Sequence, residues 1–114
     1  MVATTSYADL KRPAMLRVEI IAVLRKLEGE LRAQGISGLY LFGSVARGDA
    51  GPDSDIDVAF AVAPEMELRF SLLDQARIGR ELGEALMTKV DFVELAALRP
   101  RIAERVQRDL MEIF

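Results

Sequence analysis

From Pro13 onward, apolar residues recur at spacings of three and four. Leu16, Ile20, Val23, Leu24, Leu27 and Leu31 fall on one stripe, which predicts an amphipathic helix between Pro13 and Gly35. Proline suits a first helical turn and glycine a stop. Glu28 and Arg32 lie four apart on the wet face of that helix, a pairing worth a few tenths of a kcal/mol. Residues 1–12 show no period and are read as a loose arm or an extra helical turn, with 13–114 forming one domain.

The period then changes. Ile36-Ser37-Gly38 reads as a connector, and Leu39-Tyr40-Leu41-Phe42 as a buried strand ending at Gly43-Ser44. Val45 to Arg47 reads as one or two helical turns, and Gly48 to Ser54 as a turn-rich loop. Asp55 to Val62 alternates as a second strand, with Ile56, Val58 and Phe60 opposite the carboxylates of Asp55 and Asp57. Pro64 closes it. Glu65 to Met87 reads as a long helix with a stripe of Leu68, Leu72, Leu73, Ala76, Gly79, Gly83 and Leu86. Two glycines in a helix cost about 1 kcal/mol each relative to alanine, so close packing against a sheet is expected there. Lys89 to Leu95 is a third strand with Asp91 facing away from Val90 and Phe92. Pro100 opens a last helix striped by Ile102, Val106, Leu110 and Ile113. The order α-β-(α)-β-α-β-α predicts an α/β (α+β) fold, a small mixed sheet packed with helices.

Composition narrows the chemistry. Apolar residues make up 51% and charged residues 29%, a globular balance with no apolar run long enough to span a membrane. No signal peptide is evident at Lys11, Arg12 and Pro13, so the expected location is cytoplasmic. The chain has no Cys and no His, which removes thiolate chemistry, imidazole acid–base catalysis and His-ligated metals. A net charge of −3 argues against broad nucleic-acid binding through phosphates.

Carboxylates, hydroxyls, basic side chains and bound metal remain. Asp55, Asp57 and Asp91 are expected to converge from neighbouring strands. At ~5 Å and an effective dielectric near 20, each like-charged pair costs roughly 3 kcal/mol. Two divalent cations such as Mg²⁺ would reverse that cost and orient a triphosphate for attack. Gly43 lets a backbone approach the phosphates, and the Ser44 hydroxyl can bond them. Arg47 stands either to contact phosphate or to pair with Asp49 or Asp53. Asp9, Asp74 and Asp109 are read as surface. Taken singly, each of these signals has an ordinary reading as turn or strand-end chemistry. The joint pattern of apolar strand, Gly-Ser, spacer, Asp-x-Asp and a later Asp-bearing strand is far more specific.

These motifs resemble the nucleotidyltransferase superfamily related to DNA polymerase β. Leu41-Phe42-Gly43-Ser44-Val45-Ala46-Arg47-Gly48 with Ser54-Asp55-Ile56-Asp57 is most similar to the minimal nucleotidyltransferases, the MntA-type antitoxins of HEPN/MNT toxin–antitoxin modules. The resemblance covers roughly Leu16 onward. It implies a nucleotidyltransferase fold in which Gly43, Ser44, Asp55 and Asp57 bind Mg²⁺–nucleotide and Asp91 is the third carboxylate. Val45 departs from the many members that carry a basic residue there. The implied activity is transfer of AMP from ATP to a tyrosine hydroxyl of a HEPN-family ribonuclease toxin, whose catalytic Arg and His lie on the partner. The chain's shortness leaves no acceptor-binding domain, so the acceptor is expected to be a protein. The alternatives are a non-catalytic antitoxin that neutralises its partner by covering it, and a subunit that modifies a small molecule or RNA.

Overall fold

A computed structural model describes residues 15–51 and 53–114. The expected arm and the opening of the first helix at Pro13 lie outside the described residues. The first helical stretch is two helices, α1 (Arg17–Lys26) and α2 (Glu28–Ala33), joined at Leu27. The stripe survives the break: Ile20, Leu24 and Leu31 are buried and Val23 and Leu27 pack beside them. Leu16 is the exception. It precedes α1 and stays 66% exposed.

Strand β1 runs from Ile36 to Phe42, so the residues expected as a connector already belong to the sheet. Ile36 pairs with Val62, with a register shift before Gly38. A short helix, α3 (Gly43–Arg47), follows at once and ends on Gly48 in the left-handed region. Next come β2 (Ile56–Val62), a 3₁₀ turn at Pro64–Met66, α4 (Leu72–Leu86), β3 (Val90–Glu94), a second 3₁₀ turn at Leu95–Ala97, α5 (Pro100–Asp109) and β4 (Met111–Glu112). The four-stranded sheet has the order β3-β2-β1-β4. β1 is antiparallel to β2 and β4, and β2 is parallel to β3. A parallel pair needs a long crossover, and α4 lies on it.

One face of the sheet is the core. Leu39, Leu41, Val58 and Phe60 are fully buried there, and Phe60 stacks on Phe92 at 4.2 Å between ring centroids. Ile56, Val58 and Phe60 point away from the carboxylates, as their alternation predicts. The other face carries Phe42, Asp57 and Asp91 and is only partly covered.

Two helical readings change. The helix expected from Glu65 begins at Leu72. Ser71 caps it: its hydroxyl accepts from Asp74 N at 3.2 Å, and Asp74 Oδ2 accepts from Ser71 N at 2.9 Å. Asp74 is therefore a capping residue. The buried stripe of α4 is Ile78, Leu82 and Leu86, while Leu68, Leu72 and Leu73 are 82–102% exposed. The cap sets where the helix starts, and leucines placed before or at that start miss the face turned to the sheet. The glycine expectation is met, since a Cβ on Gly79 would meet Phe92 Cβ at 3.2 Å and one on Gly83 the Thr88 carbonyl at 3.1 Å. The last helix ends at Asp109. Of its expected stripe, Val106 is buried and Ile102 is 47% exposed. Ile113 is buried beyond the helix, and its N–H donates to the Leu39 carbonyl at 2.7 Å.

Leu82→Ala is expected to cost about 2–5 kcal/mol through lost burial and a residual cavity. Leu73→Ala should stay within about 0.5 kcal/mol. Urea unfolding of the two variants measures both. Among the described residues, no helix is long and apolar enough to cross a membrane.

Candidate active site

Phe42 and Asp57 are register partners on β1 and β2, so the residue after Phe42 lies against the Asp57 side chain. That residue is Gly43, at φ +72°, and a Cβ placed on it would overlap Asp57 Oδ2. Glycine is thus required twice, for the left-handed backbone and for the approach of the carboxylate. Ser44 follows, half-buried, in the first turn of α3. With five residues, α3 has little dipole to offer an anion. Phosphate contact at this point rests on the Gly43 backbone and the Ser44 hydroxyl.

Asp57 and Asp91 are partners in the parallel β2–β3 register, which sets their carboxyl groups side by side on one face of the sheet. Asp57 is half-buried, whereas Asp91 is exposed on the edge strand. Burial pushes the Asp57 carboxyl up to about 6, helped by the charge and hydrogen bond of Asp91 and by the charge of Asp55, and opposed by Arg47. Asp55 precedes β2 and lies 3.8 Å from Lys89 Nζ. The structure therefore brings Asp57 beside Gly43 and Asp91 beside Asp57, with the charge of Asp55 also acting on Asp57. Among the described residues, no three acidic side chains stand at the spacing of a finished metal site. The Asp57–Asp91 pair does suit a cation, because two hard oxygen donors in contact raise a proton affinity that a cation would relieve.

Arg47 makes pairing contacts. Its Nε donates to Asp49 Oδ2 at 3.2 Å and its Nη1 to Asp109 Oδ2 at 2.8 Å, and both bonds hold its pKa above the ordinary arginine value. Asp109, read as surface from the sequence, thereby joins α5 to α3. A cleft of about 640 Å³ opens between Gly43, Ser44, Arg47 and Asp57 on one side and Ile102, Arg105, Val106 and Arg108 of α5 on the other. That volume suits a small-molecule ligand. Sequence reasoning missed the α5 wall. The helical spacing of Arg105 and Arg108 was available as a signal, but nothing local showed that this face turns toward Gly43.

A Gly-Ser turn set against carboxylates on adjacent strands of a small mixed sheet is the arrangement of a nucleotidyltransferase. The chain belongs to the polymerase beta nucleotidyltransferase family, whose sequence profile matches residues 19–114. It is 33% identical over 102 residues to the protein adenylyltransferase MntA of Thermococcus cleftensis, covering 88% of this chain and 99% of the relative. Its fold is similar to that of a toxin–antitoxin structure solved with AMP-PNP, with a TM-score of 0.68 and 25% identity over 82% of this chain and 72% of that one. It also shares its fold with a chain in the complex of tri-AMPylated Shewanella oneidensis HEPN toxin with MNT antitoxin, with a TM-score of 0.63 and 22% identity over 86% and 71% of the two chains.

Proposed function

We propose that this chain is an Mg²⁺-dependent protein adenylyltransferase that transfers AMP from ATP to a hydroxyl of a HEPN-family toxin and so acts as its antitoxin. The observation that carries this reading is Asp57, packed against Gly43 in the lining of one cleft and paired in register with Asp91 on the neighbouring strand. It is supported by the likeness to MntA over nearly the whole of that relative.

ATP is the substrate, with its phosphates against the Gly43 backbone and the Ser44 hydroxyl. Asp57 and Asp91 hold Mg²⁺, and Asp55 completes the set by releasing Lys89. When bound by these carboxylates, Mg²⁺ would supply neutralisation of phosphate charge and polarisation of the reacting phosphorus. The acceptor hydroxyl oxygen bonds the α-phosphorus, the bond from that phosphorus to the β-bridging oxygen breaks, and pyrophosphate leaves. Asp91, exposed at the sheet edge, takes the hydroxyl proton. Its exposure suits an acceptor presented by another protein, most simply a tyrosine.

The test is incubation with ATP, Mg²⁺ and the partner toxin, followed by intact-mass measurement of the toxin. One or more AMP groups are expected with wild type and none with Asp55→Ala or Asp57→Ala. Absence of AMP with wild type, or equal addition by the variants, refutes the reading. A toxin left unmodified yet silenced by Asp57→Asn would instead mark a non-catalytic antitoxin.

A further inference from the structure

The cleft that receives the nucleotide in the reading above has a second wall with a charge of its own. Arg105 and Arg108 lie three apart on α5, which places them on one side of the helix, and both line the cleft with Gly43 and Ser44. Among the described residues, neither guanidinium makes a hydrogen bond or an ion pair. Arg47, the arginine nearest the Gly-Ser motif in sequence, is already held by Asp49 and Asp109. Val106 is buried between the two free arginines, and Asp109 fastens the end of the same helix to α3. The helix is thus anchored on both sides of Arg108, with its unpaired cations facing the Gly-Ser motif.

We propose that Arg105 and Arg108 bind the β- and γ-phosphates of the nucleotide, and that Arg47 positions this wall instead of contacting phosphate. The proposal rests on the nucleotidyltransferase reading and assigns residues within it. A guanidinium is always charged and presents a planar fork of donors that matches phosphate oxygens. Two like charges three apart on a helix repel each other until an anion lies between them. Arg101, one turn earlier on α5, is also exposed but does not line the cleft. Position in the cleft, and not basic charge on the helix, therefore selects the pair.

The test is calorimetric titration of AMP-PNP with Mg²⁺ into wild type, Arg101→Gln and the double variant Arg105→Gln/Arg108→Gln. The double variant is expected to bind roughly ten- to a hundredfold more weakly, the range for lost charge-assisted hydrogen bonds. Arg101→Gln should match wild type. Melting temperatures should coincide, because none of the three side chains is in the core. Unchanged affinity in the double variant overturns the assignment and leaves the function reading intact. Equal weakening by Arg101→Gln overturns it in favour of general surface charge. Lost toxin binding with AMP-PNP binding retained overturns it in favour of an acidic protein surface. A wild type that binds no AMP-PNP overturns both readings together.

Discussion

Asp57→Asn is expected to stabilise the metal-free protein at neutral pH while abolishing AMP transfer. The Asp57 carboxyl is half-buried against Asp91, and its pKa stands at about 6 instead of the ordinary 3.8. The folded chain therefore holds a proton between those values that the unfolded chain has released. Stability falls as pH rises through that window, and the full penalty stands above it. Allowing for solvent screening, the penalty is about 1–3 kcal/mol. In a domain of about this size, each kcal/mol moves the melting temperature by roughly 4–8 °C. The amide carries no charge, so the variant should melt higher than wild type at pH 7.5 and match it near pH 4. Added Mg²⁺ should stabilise wild type at pH 7.5 much more than at pH 5, where protonation competes with it, and should do little for the variant. Transfer should drop by about 10²–10³-fold or more, the scale seen when one preorganised electrostatic contact to a transition state is lost. A variant that melts below wild type at pH 7.5, or that still transfers AMP at a wild-type rate, contradicts this account.

Gly43→Ala should damage both fold and site. At φ +72° a Cβ costs about 1–2 kcal/mol in backbone energy alone. Here the Cβ also occupies the space of the Asp57 carboxylate, so the total should reach about 2–4 kcal/mol. Gly48→Ala is the control. Its φ is also positive, at +83°, but its nearest neighbour is Arg17 Nη1 at 3.7 Å, so it should show the backbone cost alone. Combining Gly43→Ala with Asp57→Ala removes the obstruction and should recover about 1–2 kcal/mol relative to additivity. Denaturant unfolding gives these differences, and nucleotide titration of Gly43→Ala should show weak or no binding. Equal destabilisation by the two glycine variants would mean that the approach of Asp57 is not what demands glycine.

Much of this site could be read from the chain. Alternation put Asp55 and Asp57 opposite Ile56, Val58 and Phe60, and the structure keeps that division. The strand containing Asp91 was equally legible, because Phe92 needs burial and its neighbours then face the other way. What resisted was decided by capping and by contacts distant in sequence. The capping pair at Ser71 and Asp74 outweighed the leucines at 68, 72 and 73, which turn out to be exposed, while Phe70 between them packs on Phe60. Two residues, Met111 and Glu112, are too few to show a period, so β4 went unseen. The partner of Arg47 at Asp109 lies on a different helix, and no local rule connects them.

The β2–β3 pairing also sets the order of events as the chain folds. Antiparallel β1 and β2 are neighbours in sequence apart from α3 and one loop, so their pairing closes a short stretch of chain. β3 reaches β2 only after the crossover through α4 has been drawn in, a larger loop with a larger entropy cost. Asp57 and Asp91 meet at that late closure, and their repulsion opposes it. On the metal-binding reading proposed above, a cation held there would remove that opposition, and metal concentration and acidity would then act on the rate at which the sheet is completed as well as on the finished molecule.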